Sequence, residues 1–244
     1  MKQTILTVAE NRQLAENTFR MRLCGDVSAM AAPGQFIDLR LPGLYLRRPI
    51  SVSDWDDGSL TILYKVVGRG TAQLRGMDPG DTADVLVGLG NGFDAAPAGD
   101  APLLVGGGIG AAPLYRLARE LRAQGRRVAV ALGFNTAGDC FYEDEFRALG
   151  CTVAVATADG SRGVRGFVTD VLPERCSYFF ACGPGPMLRA VSRRIAAPGQ
   201  LSLEERMGCG FGACMGCTCK TAAGHKRICK DGPVLRKEEI VWDD

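Results

Sequence analysis

The 244-residue sequence contains a single histidine, His225. A Ser-His-Asp triad and a multi-histidine metal site are therefore close to excluded. With so few side chains suited to acid–base chemistry, a bound cofactor is expected to carry any reaction. Positive and negative charges nearly balance, with 29 Lys and Arg against 27 Asp and Glu, and no basic block stands out. Nucleic acid is therefore not an expected partner.

Long apolar runs are also missing. No stretch of about 18 apolar residues occurs, so no membrane-spanning helix and no membrane partner are predicted. The first residues lack the apolar core of a secretory signal, which makes the cytoplasm the expected location. In that compartment the ten cysteines are expected to be metal ligands or core thiols rather than disulfides. An apolar content of 46% over this length predicts one or two domains with real cores.

Four of the cysteines stand close together near the end of the chain. Cys209, Cys214 and Cys217 follow the spacing C-x4-C-x2-C, and eleven residues separate Cys217 from Cys229. Plant-type ferredoxins hold a 2Fe–2S cluster with this spacing, and the glycines between the ligands let a loop wrap closely around it. A structural zinc site is the alternative, although its ligands usually come as two C-x2-4-C pairs. Cys219 competes with Cys217 as the third ligand.

The first third of the sequence has the pattern of short β-strands. Residues 18–23, 36–41, 60–67 and 83–87 alternate or run apolar, and turn residues such as Pro33-Gly34 and Pro79-Gly80 separate them. Many short strands joined by turns predict a small antiparallel barrel.

Two stretches of this barrel carry residues suited to a nucleotide. Arg47 and Arg48 precede Pro49 and Ser51, and a guanidinium matches the geometry of a phosphate. An ordinary exposed strand end is the alternative interpretation. In the second stretch, the glycines of residues 68–70 lead into Thr71, a predicted N-cap, and a glycine loop that opens a helix offers free amides to a phosphate.

Residues from about 100 to 200 alternate between buried strands and helices. Strands are predicted near 102–107, 128–134, 151–156 and 177–182. Helices are predicted near 113–124, 142–149, 166–172 and 186–195. This alternation predicts a doubly wound parallel sheet that binds ligands at the carboxyl ends of its strands.

Two glycine loops stand at such strand ends and are predicted to hold a dinucleotide. They are Gly106-Gly107-Gly108-Ile109-Gly110 and Cys182-Gly183-Pro184. The acidic residue expected about 20 positions after the first loop is missing, so the standard NAD fingerprint does not apply as it stands. Arg162 and Arg165 lie near a plausible position for a 2′-phosphate, which leaves NADH and NADPH open.

Together these motifs resemble the ferredoxin–NADP reductase superfamily, and within it the chain looks most like the electron-transfer subunits of type B dihydroorotate dehydrogenase. The matches are residues 47–51, the segment Val87-Gly-Leu-Gly-Asn-Gly-Phe93, Asp159-Gly-Ser161 with 166–170, and 229–234. The resemblance covers the chain from its first strand to Trp242. It implies a β plus α/β protein with an antiparallel β-barrel FAD domain (1–97), a doubly wound parallel-sheet NAD domain (98–200) and a small C-terminal 2Fe–2S cluster region (201–244).

The resemblance also implies roles for single residues. Arg48, Pro49, Ile50 and Ser51 would line FAD, with Ile50 where many relatives have an aromatic. The other implied FAD contacts are Leu63, Tyr64 and Lys65 through their strand, and Gly70 and Thr71 at the pyrophosphate. Cys209, Cys214, Cys217 and Cys229 would be the cluster ligands. Cys182 matches a cysteine near the nicotinamide, but a small buried thiol at a strand end is an equal alternative.

The function that the resemblance implies is electron transfer. Electrons would pass between NAD(H) and a partner dihydroorotate dehydrogenase catalytic subunit that contains FMN, through FAD and the cluster, in pyrimidine (UMP) biosynthesis. The expected assembly is a heterotetramer with two copies of each subunit.

Two other functions stay open at this point. The first is a reductase subunit of similar build that serves ferredoxin or sulfur compounds. The second is a non-enzymatic redox sensor or a zinc-organised interaction module, which would show no NADH-dependent loss of flavin absorbance.

Overall fold

The computed structural model describes residues 1–242. The first part of the chain closes into a six-stranded antiparallel barrel with strand order β1-β2-β5-β4-β3-β6. Its elements are β1 (Lys2–Ala15), β2 (Thr18–Cys24), β3 (Phe36–Arg40), β4 (Arg48–Trp55), β5 (Ser59–Lys65), α1 (Arg69–Arg75) and β6 (Thr82–Leu89). Strand β2 shows why the barrel closes, since Met21 and Leu23 are fully buried inside while Arg20 and Arg22 point outward to acidic partners.

The second part forms a seven-stranded sheet with order β10-β9-β8-β7-β11-β12-β15. Its elements are β7 (Leu103–Gly107), α2 (Leu114–Ala123), β8 (Ala129–Phe134), α3 (Glu143–Ala148), β9 (Thr152–Thr157), β10 (Val164–Arg165), β11 (Phe179–Cys182), α4 (Gly185–Arg194) and β12 (Gly199–Ser202). After these come β13 (Thr218–Thr221), β14 (Gly224–Arg227), α5 (Ile228–Asp231) and β15 (Val234–Arg236). Short 3-10 helices span Ala96–Ala98, Gly108–Ala111, Ala137–Asp139, Val168–Val171 and Lys237–Glu239.

The predicted barrel and doubly wound sheet are therefore confirmed. Strand β7 is buried throughout and lies between β8 and β11, so the strand order reverses direction at β7. A ligand site is expected at the carboxyl ends of β7 and β11 for this reason.

The helix predicted near 166–172 is only the 3-10 turn Val168–Val171. No helix within residues 1–242 is long and apolar enough to cross a membrane.

Polar contacts fix the barrel against the sheet. The Arg116 guanidinium stacks over Trp55 with 4.1 Å to the ring centroid and donates to the Trp55 carbonyl oxygen at 2.6 Å. Arg119 pairs with Asp54 at 2.6 Å, and Lys65 of β5 pairs with Asp139 at 2.9 Å. These contacts set the orientation of β4 and β5 toward the strand ends of the sheet.

Asn91 ties the C-terminal segment to the barrel. Its amide nitrogen donates to the Val234 carbonyl at 2.7 Å, and its amide oxygen accepts from the Val234 N–H at 3.1 Å. The Asn91 N–H also donates to the Gly232 carbonyl at 2.7 Å. The 87–93 motif thus clamps the segment that carries Cys229. Strand β15 also pairs with β12, and the predicted division at residues 97 and 200 stays a prediction.

Candidate functional site

A cavity of about 630 Å³ opens at the carboxyl ends of the parallel strands. The ends of β7, β8 and β9 contribute Gly107, Asn135 and Ala158, and the barrel contributes Thr18 and Lys65. Gly108, Ile109, Phe167, Pro184, Met187 and Glu204 also line it. Five residues predicted to bind a cofactor therefore meet in one cavity, namely Lys65, Gly107, Gly108, Ile109 and Pro184. Its volume lies in the range of cofactor pockets.

The two predicted glycine loops pack directly on each other. A Cβ atom at Gly110 would overlap the Cys182 carbonyl and lie 2.7 Å from the Gly183 nitrogen. A Cβ atom at Gly107 would collide with the Met187 sulfur and lie 3.2 Å from Pro184. Glycine is therefore needed at Gly110, where the clash is with main-chain atoms, whereas at Gly107 the Met187 side chain would have to move. Gly106 is buried at the end of β7, where a Cβ atom would lie 2.9 Å from Ala111.

Cys182 lies beneath this cavity rather than in its wall. The thiol is buried, which raises its pKa to about 12, and it forms a hydrogen bond with Ser202 on the neighbouring strand β12. A thiol in this state is a weak nucleophile. The main chain of Cys182, rather than its thiol, lies against Gly110 next to the cavity.

Glu204 is a cavity residue that the sequence reasoning missed. It follows β12, and its carboxyl lies against the cavity wall, where partial removal from water raises its pKa. The position could have been found, because an acidic residue at the carboxyl end of a strand beside the switch point belongs to the ligand edge of the sheet.

The barrel residues predicted to bind a flavin form a second group beside the first. A Cβ atom at Gly70 would collide with the Arg48 side chain, so the glycine loop and the Arg48 guanidinium are adjacent. Arg48 donates only to main-chain carbonyls, those of Leu46 and Arg47. Arg47, in contrast, is committed to Asp84 at 3.0 Å. Arg48 is therefore the cation of this pair that a phosphate could engage.

The predicted N-cap role of Thr71 is wrong. Helix α1 begins at Arg69, with Gly68 in the N-cap position. The Thr71 hydroxyl instead accepts from the main-chain N–H groups of Val67 at 2.9 Å and Gly68 at 3.2 Å. It therefore fixes the shape of the glycine loop opposite Arg48.

Leu63 and Lys65 lie on one face of β5 and Tyr64 lies on the other. Tyr64 lies in the barrel core, and its hydroxyl donates to Asn11 at 2.8 Å. Leu63 packs into the core of the nucleotide domain, and Lys65 reaches the cavity. A ligand contact by Leu63 or Tyr64 would have to come from their main chain.

The four predicted metal-ligating thiols lie in two pairs. Cys209 and Cys214 are within hydrogen-bonding reach of each other, as are Cys217 and Cys229. Cys217 and Cys229 are 1% and 2% exposed, whereas Cys214 is exposed. Two irons bridged by two sulfides each need two thiolates, so this pairing fits a 2Fe–2S cluster with one inner and one outer iron.

Main-chain amides surround the thiol sulfurs. The Cys209 sulfur accepts from the N–H groups of Ala213 at 3.2 Å and Cys214 at 3.4 Å. The Cys217 sulfur accepts from the Cys229 N–H at 3.3 Å. Burial alone would raise the pKa of Cys209, but these amides lower it to about 6. The amides around Cys209 therefore favour its thiolate, the form in which cysteine binds iron, whereas burial and the neighbouring Cys217 raise the pKa of Cys229 to about 12.

The described residues do not form a single-ion site. Within 1–242, no group of three or more His, Cys, Asp or Glu side chains is arranged to hold one metal ion. A zinc ion would need such convergence on one point. Cys219 lies on β13 opposite Lys226, outside both thiol pairs. The C-x4-C-x2-C spacing and the two thiol pairs fit a two-iron cluster.

Phe36 of β3 connects the two candidate cofactor sites. Its side chain packs in one buried cluster with Cys217 and Cys229. In the barrel, Phe36 pairs with Ser51 and Ile37 pairs with Ile50. Since neighbouring strands lie about 4.8 Å apart, the candidate flavin strand β4 is one strand away from the inner thiol pair.

A buried carboxyl lies beneath the cluster loop. Asp38 of β3 is 2% exposed, and its Oδ1 atom has no hydrogen-bond partner. A Cβ atom at Gly210 would collide with its Oδ2 atom, so glycine is required there, at a φ of +76°. Burial raises the pKa of Asp38 to about 7, against the opposing field of Arg47.

This carboxyl predicts a pH-dependent stability. Between about pH 4 and 7 the folded chain keeps a proton that the unfolded chain has lost, so stability falls as pH rises through the folded pKa. Asp38→Asn should therefore raise the free energy of unfolding of the cofactor-loaded protein by on the order of 2 kcal/mol at pH 8, and by clearly less near pH 5. Asp57→Asn, at an exposed turn, is the matched control. An Asp38→Asn effect equal at both pH values would contradict the prediction.

Comparison with known proteins places these features in a family. Residues 204–241 match the iron–sulfur cluster binding domain of dihydroorotate dehydrogenase B. The chain is 49% identical to the dihydroorotate dehydrogenase B (NAD(+)), electron transfer subunit of Bacillus caldolyticus, over 97% of each chain. It is 44% identical to the Listeria monocytogenes serotype 4a subunit, over 98% of this chain and 99% of the relative.

Solved structures share the fold. The NADH-dependent reduced ferredoxin-NADP oxidoreductase superposes with a TM-score of 0.88 at 32% identity, over 98% of this chain and 90% of the other. A ferredoxin NADP+ reductase from Neisseria gonorrhoeae with bound FAD and NADP superposes with a TM-score of 0.69 at 18% identity, over 80% and 90%. At 49% identity over nearly the full length, the chain belongs to the family of dihydroorotate dehydrogenase B (NAD(+)) electron transfer subunits.

Proposed function

We propose that this chain passes electrons between NAD(H) and the catalytic subunit of a dihydroorotate dehydrogenase, through FAD and a 2Fe–2S cluster, in pyrimidine biosynthesis. When bound, FAD exchanges electron pairs with NAD(H) and the cluster carries one electron at a time. Residues 1–97 would hold FAD, 98–200 would hold NAD(H) and 201–244 would hold the cluster.

The observation that supports this most strongly is the position of β3. One edge of the strand pairs with β4, which carries Pro49, Ile50 and Ser51, and its Phe36 belongs to the same buried cluster as Cys217 and Cys229. A flavin on β4 and a cluster on the cysteine loop would therefore be close neighbours. An isolated zinc module or redox sensor would have no need of this adjacency.

The nucleotide end of the relay is the cavity above β7 and β11. The main chain of residues 106–110 and 183–184 would carry the pyrophosphate of NAD(H), because both glycine loops stand at the switch point of the sheet. Glu204 lies in the wall of the cavity next to Pro184 and Met187. Lys65, held by Asp139 at 2.9 Å, closes the side toward the barrel.

The flavin end is the barrel surface at Arg48. Its guanidinium lies against Gly70, and Thr71 holds the glycine loop in shape. A diphosphate at this position would meet one cation and several main-chain amides, which is the chemistry that phosphate binding requires.

The outer thiol pair marks the end where electrons would leave. Cys214 is exposed, and two large apolar side chains flank it, Phe211 at 44% and Met215 at 55% exposure. Aromatic residues and methionine are enriched at interfaces between proteins. We infer that the catalytic subunit, with FMN as its cofactor and two copies of each subunit in the assembly, docks over this tip.

This docking surface gives a direct prediction. Phe211→Asp and Met215→Asp should each weaken binding of the catalytic subunit about tenfold or more, because each places a charge in an apolar contact. Sedimentation or calorimetry with the purified subunits measures this affinity. Iron content and NADH-dependent reduction of ferricyanide should not change.

Val164→Asp is the matched control, since Val164 is an equally exposed apolar residue on β10, at the opposite edge of the sheet from β15. A loss of affinity in Val164→Asp as large as in Phe211→Asp would contradict docking at the cluster tip.

The function itself is tested with the purified protein. Anaerobic mixing with NADH should bleach the flavin absorbance and produce the EPR signal of a reduced 2Fe–2S cluster, and the protein should co-purify with a flavin-containing dihydroorotate dehydrogenase subunit. A protein without flavin or iron would overturn the proposal. If NADH reduces the flavin and the cluster normally but the electrons pass only to ferredoxin, the result would favour a reductase of similar build that serves ferredoxin.

A further inference from the structure

The loop between β9 and β10 borders the nucleotide cavity through Ala158. Strands β9 and β10 lie at the opposite edge of the sheet from β12 and β15, which adjoin the cluster region. The two halves of a dinucleotide lie on either side of the switch point. With the nicotinamide toward β11 and Glu204, the adenosine half would extend over the ends of β8 and β9, where Asn135, Ala158 and Phe167 line the cavity.

The main chain of this loop is held in one shape. The Asp159 carboxylate accepts from the Ser161 N–H at 3.0 Å and from its hydroxyl at 2.6 Å. The Ser161 hydroxyl in turn accepts from the Ala137 N–H at 2.7 Å, in the loop after β8. The Arg162 N–H donates to the Thr157 hydroxyl at 3.0 Å. The loops after β8 and β9 are thus joined beside the cavity.

Arg162, the first of two cations in this loop, is already engaged. Its Nε donates to Glu143 Oε2 at 2.5 Å, and Glu143 is a buried residue at the start of α3. The other carboxylate oxygen of Glu143, Oε1, pairs with Arg147 at 2.5 Å. Turning this guanidinium toward a phosphate would take its Nε–H away from a buried carboxylate, which is costly.

The carboxylate of Asp159 acts in the same direction. Asp159 is an exposed carboxylate at the carboxyl end of β9, where it would repel a phosphate and could accept a hydrogen bond from a ribose hydroxyl. Arg165, the second cation, lies with its aliphatic chain across Gly160 on the exposed strand β10.

We propose that Glu143 makes the site select nucleotides without a 2′-phosphate, by holding Arg162 away from the adenosine ribose. The proposal rests on the proposed function, since it assumes that a nicotinamide dinucleotide binds in this cavity. Glu143 acts through Arg162 and is a positioning residue. The specificity between NAD(H) and NADP(H) would then depend on one ion pair outside the glycine loops.

The test is a double-variant cycle on the cofactor-loaded protein, with NAD+ and NADP+ binding measured by calorimetry. Glu143→Gln should tighten NADP+ binding about tenfold or more, because one charged hydrogen bond to the phosphate becomes available. NAD+ binding should change less than about twofold. Adding Arg162→Ala to Glu143→Gln should abolish the gain, whereas a purely structural effect of Glu143 would survive it.

Asp144→Asn is the matched control, because Asp144 is the exposed partner of Arg147 on the same helix and does not contact Arg162. It removes one negative charge and should leave the ratio of the two affinities unchanged. Arg162→Ala alone should also leave both affinities unchanged, and this arm stands even if Glu143→Gln unfolds.

The outcomes distinguish a failure of the role proposed for Glu143 from a failure of the proposed function. Unchanged NADP+ binding in Glu143→Gln, or a gain that persists without Arg162, would overturn the role of Glu143. A loss of nucleotide binding in Arg162→Ala would overturn it too. A wild-type protein that binds neither NAD+ nor NADP+ would instead overturn the proposed function, and the selectivity with it.

Discussion

Cys217→Ser is expected to lose most of its iron and the EPR signal of the reduced cluster, while its flavin is still reduced by NADH. Cys217 is buried with Cys229 against Phe36, and its sulfur accepts a main-chain N–H bond from Cys229. A serine oxygen is a harder and poorer ligand for iron than a thiolate. Because metal binding is coupled to folding, the cluster region should also melt at a lower temperature.

Cys219→Ser is the control for this prediction. Cys219 stands two residues further on, in β13, and lies outside the two thiol pairs. Its replacement should leave the iron content, the EPR signal and the melting temperature near those of the wild type. Iron lost from Cys219→Ser but kept in Cys217→Ser would reverse the ligand assignment.

Gly110→Ala is expected to slow NADH-dependent flavin reduction about a hundredfold or more, with the flavin and the iron still bound. The added methyl group would overlap the Cys182 carbonyl and press on the Gly183 nitrogen. The methyl group would clash with main-chain atoms, which cannot rotate away as a side chain can. The two glycine loops must therefore move apart. A displacement near 1 Å at a reacting site costs about two orders of magnitude in rate, and overpacking costs roughly 1–3 kcal/mol of stability.

Gly185→Ala provides the comparison. Gly185 begins α4 in the second loop, and a Cβ atom there meets nothing within 4 Å. Stopped-flow absorbance should give a wild-type rate of flavin reduction for Gly185→Ala. Dithionite should reduce both variants fully, which separates a defect in nucleotide binding from loss of the cofactors. Equal rates in the two glycine variants would contradict the role of loop packing.

The sequence predicted those parts of the site that depend on residues close together in the chain. The cysteine spacing predicted that four thiols come close together, and the glycine loops after β7 and β11 could be located because a buried strand followed by a tight turn has a local signature. Strand–helix alternation likewise predicted the doubly wound sheet, which the structure confirms.

Long-range contacts could not be predicted in this way. Phe36 and Cys229 are far apart in sequence, and only the closed barrel brings β3 beneath the cluster loop. Asn91 resembles any turn residue until its hydrogen bonds to Val234 are seen. The sequence around Tyr64 does not show which face of the strand is buried in the barrel. The barrel register directs the Tyr64 side chain to Asn11 in the core.

The conformation of Arg162 was also beyond the sequence. A cation near a nucleotide loop suggests a 2′-phosphate, and only the ion pair with Glu143, a residue on another element, shows that the guanidinium is occupied. Whether a charged side chain can engage a ligand depends on which partners the fold places next to it.

The most direct test of the relay is an anaerobic NADH titration of the wild type and Cys217→Ser, followed by flavin absorbance and EPR. Two electrons for the flavin and one for the cluster predict that the wild type takes up about three electrons per chain, or about 1.5 NADH. Cys217→Ser should stop at about two electrons, or one NADH. A wild type that also stops at two electrons, with its cluster still oxidised, would contradict electron transfer from the flavin to the cluster.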